Sequence, residues 1–289
     1  MTAFDLQSHS LHSDGALPAG EVLERAARAG VTTLALTDHD TVDGIDEALA
    51  SASRLGLTLV PATEISAVDG EYEDLHVLGY GIRHDDAVLL DRLAGARADR
   101  EARADRMADL LRELGFEVDP ATLDARRRAG KPIGRPHLAE AVLGHPANAD
   151  RLADEGNDDL TSFIRAFLIP GMPAYSGRTR PGIDEAIRWI HEAGGLAVWA
   201  HPFWDIEPEV EVLAALDRYV DWSLDGVEAF YVTHNGPQTI ALADRAATLG
   251  LLSTGSSDYH GPDHRLFSRF LAFDLHGRLP NLGPLAPAP

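Results

Sequence analysis

Phe4-Asp5-Leu6-Gln7-Ser8-His9-Ser10-Leu11-His12-Ser13-Asp14-Gly15 opens on a short apolar run and closes in a polar loop holding imidazoles and a carboxylate. A strand that stops in a cluster of potential metal ligands is how barrel folds gather chemistry onto one mouth. The pattern recurs outward from this stretch. Residues 33–36 read as a buried strand running into Thr37-Asp38-His39-Asp40, residues 57–60 lead into Pro61-Ala62-Thr63-Glu64, and residues 75–80 form a strand carrying His76. Helical periodicity fills the intervals over 18–29, stopped by Gly30, and over 41–55, closed by Gly56. Further on, a helix is expected over 181–193 and a strand over 196–200 that reaches His201-Pro202. A strand over 225–231 precedes His234-Asn235, a helix covers 236–248, and a strand over 251–254 ends in Gly255-Ser256-Ser257-Asp258-Tyr259-His260-Gly261. Strands alternating with helices predict a mainly parallel α/β barrel or sheet.

Between these halves, residues 85–168 read as consecutive helices. Arg97, Arg100, Glu101, Asp105 and Arg106 fall at i,i+3 and i,i+4 spacings that suit a solvated face. The expected organisation is a first barrel segment over 1–84, a helical insertion or lid over 85–170, a second barrel segment over 171–279 and an irregular tail over 280–289.

Composition narrows the chemistry. The 289 residues, 45% hydrophobic, suffice for one large core with an insertion. No run approaches the ~18 apolar residues of a membrane span, and no basic-then-apolar leader opens the chain, which predicts a cytoplasmic location. A formal net charge of -21 argues against duplex nucleic acid as partner. Clustered cations in a site would still reverse the local sign and admit a phosphate. With no cysteine, any metal site must use His, Asp and Glu, which suits Mn, Fe, Zn or Mg.

The predicted strand ends collect His9, Asp14, His39, Glu64, His201, Asp258 and His260, with His76 on a further strand. Taken singly, a histidine here is better explained as a core or surface residue, and Asp14 or Asp258 as a loop cap. Five strand ends with the same composition overturn that reading together. Neutral imidazoles and carboxylates, with Glu64 and Asp258 able to bridge, can hold two or three divalent ions.

The order Asp5-Leu6-x-x-His9 with Ser13-Asp14-Gly15, then Thr37-Asp38-His39-Asp40, Glu64-Ile65-Ser66, His76-Val77-Leu78-Gly79-Tyr80, Ala200-His201-Pro202 and Ser257-Asp258-Tyr259-His260-Gly261 resembles the PHP (polymerase and histidinol phosphatase) family. Within it the chain is similar to the branch of small phosphoesterases that includes the 3′,5′-nucleotide bisphosphate phosphatases. The resemblance spans about residues 3–275 and implies a distorted (β/α)7 TIM-like barrel with an inserted helical subdomain and a trinuclear site. By motif position one metal takes residue 7, His9, Glu64 and Asp258. A second shares Glu64 and adds His76 and His201, and a third takes Asp14, His39 and His260. Gly134-Arg135-Pro136-His137 matches the family segment that reaches the substrate, and Arg135 suits bidentate phosphate binding. His234, beside Asn235, falls where the family often contacts substrate; as a plain loop residue it caps the next helix. One departure stands out. The family usually has His-x-His in its first motif, whereas this chain has Gln7-x-His9. Gln7 is therefore expected as a weaker ligand through its carbonyl oxygen.

The function expected from these motifs is metal-dependent hydrolysis of a phosphomonoester by metal-activated hydroxide, with the 3′-phosphate of a nucleoside 3′,5′-bisphosphate as first substrate. Two or three divalent ions serve as cofactors, manganese first, then iron, zinc or magnesium. His201 or His234, if unligated, supplies a proton to the leaving oxygen. The partner is a small phosphorylated substrate, a nucleotide or short oligonucleotide. The competing readings are a 5′→3′ exonuclease on short RNA or DNA, a histidinol-phosphate-type phosphatase, and a non-catalytic metal-binding module, which Gln7 alone favours. His12 is read as a loop residue, and Arg126-Arg127-Arg128 with Lys131 as a solvated helix end. Phe203 and Trp204 are the candidates for contacting a nucleobase.

Overall fold

A single sheet runs through the chain in sequence order: β1 (Phe4–Asp5), β2 (Thr33–Leu36), β3 (Thr58–Asp69), β4 (Tyr72–Tyr80), β5 (Leu196–Trp199), β6 (Gly226–Tyr231) and β7 (Leu252–Ser256). It is seen in a computed structural model that describes residues 3–70, 72–128, 133–177 and 181–286. Neighbours pair in parallel from β1 to β3 and from β5 to β7. The β4 strand runs antiparallel to both β3 and β5. The edges then meet. Leu6 N–H donates to Gly255 O (3.1 Å) and His9 N–H to Tyr259 O (2.8 Å), which closes the sheet into a barrel.

The antiparallel β4 is what distorts the (β/α)7 plan. Its connection to β3 is a tight turn through Gly70, not a helix, so the alternation fails there. Two further differences concern boundaries. Helix α2 (Ile45–Leu55) begins at Ile45, not at residue 41, and β3 continues through Glu64 to Asp69, so Glu64 stands inside a strand.

Strand alternation sorts side chains between two cores. Phe4, Leu6, Ala35, Val60, Ala62, Leu78, Tyr80, Val198 and Ala200 fill the barrel interior. Residues of opposite parity, among them Leu34, Leu36, Ile65, Val77, Ala197, Trp199 and Val227, face the surrounding helices. Glu64 shares parity with Val60 and Ala62, and His76 with Leu78 and Tyr80. The pleat therefore carries both polar side chains onto the interior face. The covering helices are α1 (Ala19–Arg28), α2 (Ile45–Leu55), α8 (Ile183–Glu192), α9 (Glu209–Asp221) and α10 (Gly236–Leu249). In α8, Ile183, Ala186, Ile187 and Ile190 recur at i, i+3, i+4 and i+7 and are buried. Each buried isoleucine contributes about 1.5–3 kcal/mol. Helix α9 lies in a stretch the sequence reading left unassigned.

Residues 280–286 are irregular apart from one turn at Gly283–Leu285, yet they are anchored. Ser253 N–H donates to Asn281 O (2.9 Å) and Asn281 N–H to Ser253 Oγ (2.8 Å), and Leu282 and Leu285 join the interior cluster.

A second compact unit covers Gly95–Thr179 and is helical. It holds most of α3 (Ala87–Glu113), then α4 (Pro120–Arg128), α5 (Arg135–Leu143), α6 (Ala149–Glu155) and α7 (Leu160–Phe163), followed by a π turn over Ile164–Leu168. Its core is its own, built on Leu111, Phe116, Leu138, Val142, Phe163 and Leu168. Within the basic run, Arg127 pairs with Glu101, Asp105 and Asp124, as a solvated helix end would; Lys131 lies outside the described residues. No helix among the described residues is long and apolar enough to cross a membrane.

Candidate metal centre

The loop after β1 is shaped by its own short-range bonds. Asp38, from the loop after β2, accepts from Ser10 N–H (2.7 Å), Ser10 Oγ (2.6 Å) and Ser13 Oγ (2.7 Å). Gly15 is required for space, because a Cβ there would stand 2.3 Å from His9 O. One loop further, Asp40 accepts from Ser66 N–H (2.9 Å) and so fastens the His39 turn to β3. Asp40, His201 and Asp258 all have positive φ (53°, 28° and 52°). Such non-glycine residues store about 1–3 kcal/mol each and persist where the surroundings over-determine them.

These turns, together with strands β3 and β4, bring eight side chains together. Glu64 is central and fully buried. Its Oε1 lies 2.9 Å from His76 Nδ1 and 3.0 Å from His201 Nε2; its Oε2 lies 3.1 Å from His9 Nε2 and 3.7 Å from His39 Nδ1. Asp258 Oδ1 stands 3.0 Å from His9 Nε2, and Tyr231 donates its hydroxyl to Asp258 Oδ2 (2.7 Å). Asp14, whose side chain is 38% exposed, forms the rim with Oδ2 3.5 Å from His39 Nε2 and Oδ1 3.4 Å from His260 Nε2. Rings pack on rings: His9 stacks on His260 (4.3 Å between centroids) and lies 4.7 Å from His39. A cavity of about 210 Å³ opens over this cluster; Trp204, Tyr231 and Phe267 complete its lining.

Three groups of side chains offer ligand atoms that lie within 4.8 Å of one another: His9, Asp14, His39 and His260; His39, Glu64 and His76; and His9, Glu64 and Asp258. The donor set fits divalent cations for a specific reason. His9 Nε2 and Asp258 Oδ1 are buried and close, yet neither makes an aligned hydrogen bond. Two buried polar atoms left so cost about 1–3 kcal/mol each. They converge on shared space, which is where a cation would satisfy both.

Among these side chains themselves, charge is balanced by protons. Burial favours the neutral acids, but His39, His76 and His201 hold Glu64 well below its usual value. Burial acts likewise on Asp258, and His260 and His9 bring it down to about 2. Burial disfavours protonated His9, but its contacts with Asp258 and Glu64 raise it well above the ordinary imidazole value. His201 is raised to about 9 by Glu64 against the same burial cost. His39, where burial prevails, falls to about 4. A cation entering such a site displaces these protons.

Gln7 is fully buried beside the cluster. Its Nε2 donates to Glu64 Oε2 (2.8 Å), and its Oε1 faces Ser256 Oγ (3.2 Å). The same hydroxyl reaches Glu228 Oε1 (2.5 Å), and Glu228 Oε2 accepts the His201 N–H (2.9 Å). Burial pushes Glu228 up to about 8.

The other sequence candidates fall elsewhere. His234 donates from Nδ1 to Ala229 O (3.2 Å), lies edge-on to Phe203, and stands outside the cavity lining. Burial lowers it to about 4. Asn235 caps α10, accepting from Gln238 N–H (3.0 Å). Arg135 and His137 begin α5 in the helical unit, where His137 Nδ1 accepts from Gly134 N–H (3.0 Å). Of the aromatic pair, Trp204 lines the cavity and Phe203 packs against the barrel core. His12 is an exposed loop residue. Asp38, Asp40, Glu228 and Tyr231 were not singled out from sequence. The Asp-His-Asp triplet at residues 38–40 was the available signal for the first two.

The chain is similar to known proteins. The sequence profile described as the PHP domain matches residues 5–123. The chain is 32% identical to the 3′,5′-nucleoside bisphosphate phosphatase of Chromobacterium violaceum, over 91% of this chain and 88% of the relative. It is 32% identical to the phosphoribosyl 1,2-cyclic phosphate 1,2-diphosphodiesterase of Eggerthella lenta, over 98% and 99%. A 5′-3′ exoribonuclease of Haemophilus influenzae is 31% identical over 90% of each. Among solved structures, an amidohydrolase from Chromobacterium violaceum with bound sulfate and no metal superposes with a TM-score of 0.75 and 30% identity, covering 95% of this chain and 93% of that one.

Proposed function

The chain belongs to the PHP family and is a metal-dependent phosphoesterase; from that premise we propose that it removes the 3′-phosphate of a nucleoside 3′,5′-bisphosphate. The observation that carries the reading is the convergence of His9, Asp14, His39, Glu64, His76, His201, Asp258 and His260 around one small cavity. Divalent cations, manganese first, would be held by the three groups of side chains described above. When bound they supply Lewis acidity, an activated water and neutralisation of phosphoryl charge.

The protein's own residues do the rest. Glu64 and Asp258 fix the buried side of the cavity, and Asp14 and His260 its rim. Of the two imidazoles considered as proton donor, His201 lines the cavity. His234 keeps a neutral ring turned to a backbone carbonyl, so at neutral pH it has no proton for a departing oxygen. Trp204, 50% exposed beside Phe267 (5.7 Å), offers the flat apolar surface on which a base stacks. Arg135 and His137 are the residues the family pattern assigns to the substrate phosphate. A second reading, 5′→3′ exonuclease action on short RNA, is favoured by the exoribonuclease relative and could use the same side chains.

The test is phosphate release with Mn²⁺ from 3′-phosphoadenosine 5′-phosphate, set beside a 5′-labelled oligoribonucleotide, a ribosyl 1,2-cyclic phosphate and histidinol phosphate. Preferential release from the bisphosphate is the expected result. Turnover of the oligonucleotide alone moves the assignment to the exonuclease, and silence on all four overturns it.

A further inference from the structure

Five buried residues close a ring at the barrel mouth. Glu64 Oε2 accepts from the Gln7 amide, Gln7 Oε1 meets Ser256 Oγ, Ser256 Oγ meets Glu228 Oε1, Glu228 Oε2 accepts the His201 N–H, and His201 Nε2 returns to Glu64 Oε1. The members come from β1's end, β3, the turn after β5, β6 and β7, so the ring ties together strands on opposite sides of the barrel. Gln7, Glu64, Glu228 and Ser256 have no exposed surface. A polar ring inside a barrel is costly unless its members are paired; Ser256 has one hydroxyl proton for Gln7 Oε1 and Glu228 Oε1, so it serves one of them at a time.

We propose that Gln7 is a positioning residue and not a metal ligand: together with Ser256 and Glu228 it clamps Glu64 and His201 in the geometry the cations require. The inference rests on the reading of the site as a metal centre. A carboxylate can only accept, so the 2.8 Å contact with Glu64 assigns the amide NH₂ to that side. The carbonyl oxygen, the one atom of Gln7 able to bind a hard cation, then faces Ser256. The opposite orientation would set two oxygens 2.8 Å apart, tolerable only across a shared cation, which is the outcome the manganese-loaded crystal below reads out. His9, Glu64 and Asp258 remain as a complete buried three-ligand group without it. Three protein ligands with one place left over is the arrangement of catalytic rather than structural metal sites.

Groups that orient metal ligands from behind typically change affinity or activity by about 10–100-fold when removed. Wild type, Gln7→Ala, Glu228→Ala and Glu228→Gln would be loaded with Mn²⁺, dialysed, and their metal counted by mass spectrometry. Gln7→Ala is expected to hold as many ions as wild type, with Mn²⁺ affinity weakened about 10–100-fold. Glu228→Ala should behave likewise. Glu228→Gln, which still accepts from His201 N–H and can donate to Ser256, should stay within about threefold of wild type, outside the 10–100-fold range expected for a lost partner. Loss of one whole equivalent of metal from folded Gln7→Ala overturns the proposal. So does a manganese-loaded wild-type crystal with Gln7 Oε1 at a ligand distance of about 2.0–2.2 Å; that distance decides the matter even if Gln7→Ala fails to fold. A wild-type protein that binds no metal overturns the site reading as well, a separate and recognisable result.

Discussion

Replacing Asp38 with alanine should unfasten the loop that carries His9 and Asp14. The carboxylate, 2% exposed, accepts three hydrogen bonds at 2.6–2.7 Å, from Ser10 N–H and the hydroxyls of Ser10 and Ser13. The Ser13 hydroxyl has an alternative, since it also lies 3.2 Å from Asp14 Oδ1. The Ser10 N–H has none and would be buried without an acceptor. One orphaned amide costs about 1–3 kcal/mol, and the two hydroxyl bonds, at about 1 kcal/mol net each, bring the sum to roughly 3–5 kcal/mol. At about 2–4 °C per kcal/mol, melting should fall by roughly 6–20 °C. Differential scanning calorimetry reads the melting shift, and Mn²⁺ titration should show affinity falling more than about tenfold. Asp38→Asn keeps one acceptor oxygen and should lose less on both counts. If Asp38→Ala melts within about 2 °C of wild type, under 1 kcal/mol by the same conversion, and binds Mn²⁺ unchanged, the account of this loop is wrong.

Chelation gives a second test: at a free Mn²⁺ of 100 times its dissociation constant, binding adds about 2.7 kcal/mol, so EDTA should lower melting by about 5–11 °C. His234 predicts a pH effect. Its folded value of about 4 lies below the ordinary 6.5, so the unfolded chain takes up a proton that the folded one refuses, and stability falls as pH drops from 6.5 toward 4. At pH 5 the penalty is about 2 kcal/mol, and His234→Gln in metal-free protein should flatten that part of the melting curve; an unchanged slope between pH 7 and 5 would exclude the assignment. Trp204→Ala should raise KM for a nucleoside bisphosphate about tenfold, equivalent to about 1.4 kcal/mol of base stacking, while an abasic sugar phosphate is hydrolysed as before. Equal effects on both substrates would mean that Trp204 shapes the cavity without touching a base.

His9, His39, His201, Asp258 and His260 were legible because each follows an apolar run at a strand end, where sequence order and spatial position coincide. Strand direction was not legible: β4 carries the same alternation as a parallel strand, and its reversal depends on the Gly70 turn and on pairing with β5. Glu64 reads as a strand end because the apolar run stops at Val60, although β3 runs past it. Buried acids were missed for a general reason. Asp38 and Glu228 look like solvated carboxylates until the topology delivers their donors, Ser10 and Ser13 for one and His201 and Ser256 for the other. Gln7 was visible as a departure, but which end of its amide faces the cluster depends on Glu64, 57 residues away.

The seam between the first and last strands also sets a timetable for biosynthesis. Leu6 and His9 find their partners only at Gly255 and Tyr259. At about 5–20 residues per second, a ribosome needs roughly 12–50 s to make the intervening chain. Throughout that interval the opening segment waits with a free hydrogen-bonding margin, a target for chaperones or for misassociation with a neighbouring nascent chain. The two ligand groups that include Asp258 or His260, too, can be completed only once the carboxy-terminal region has emerged.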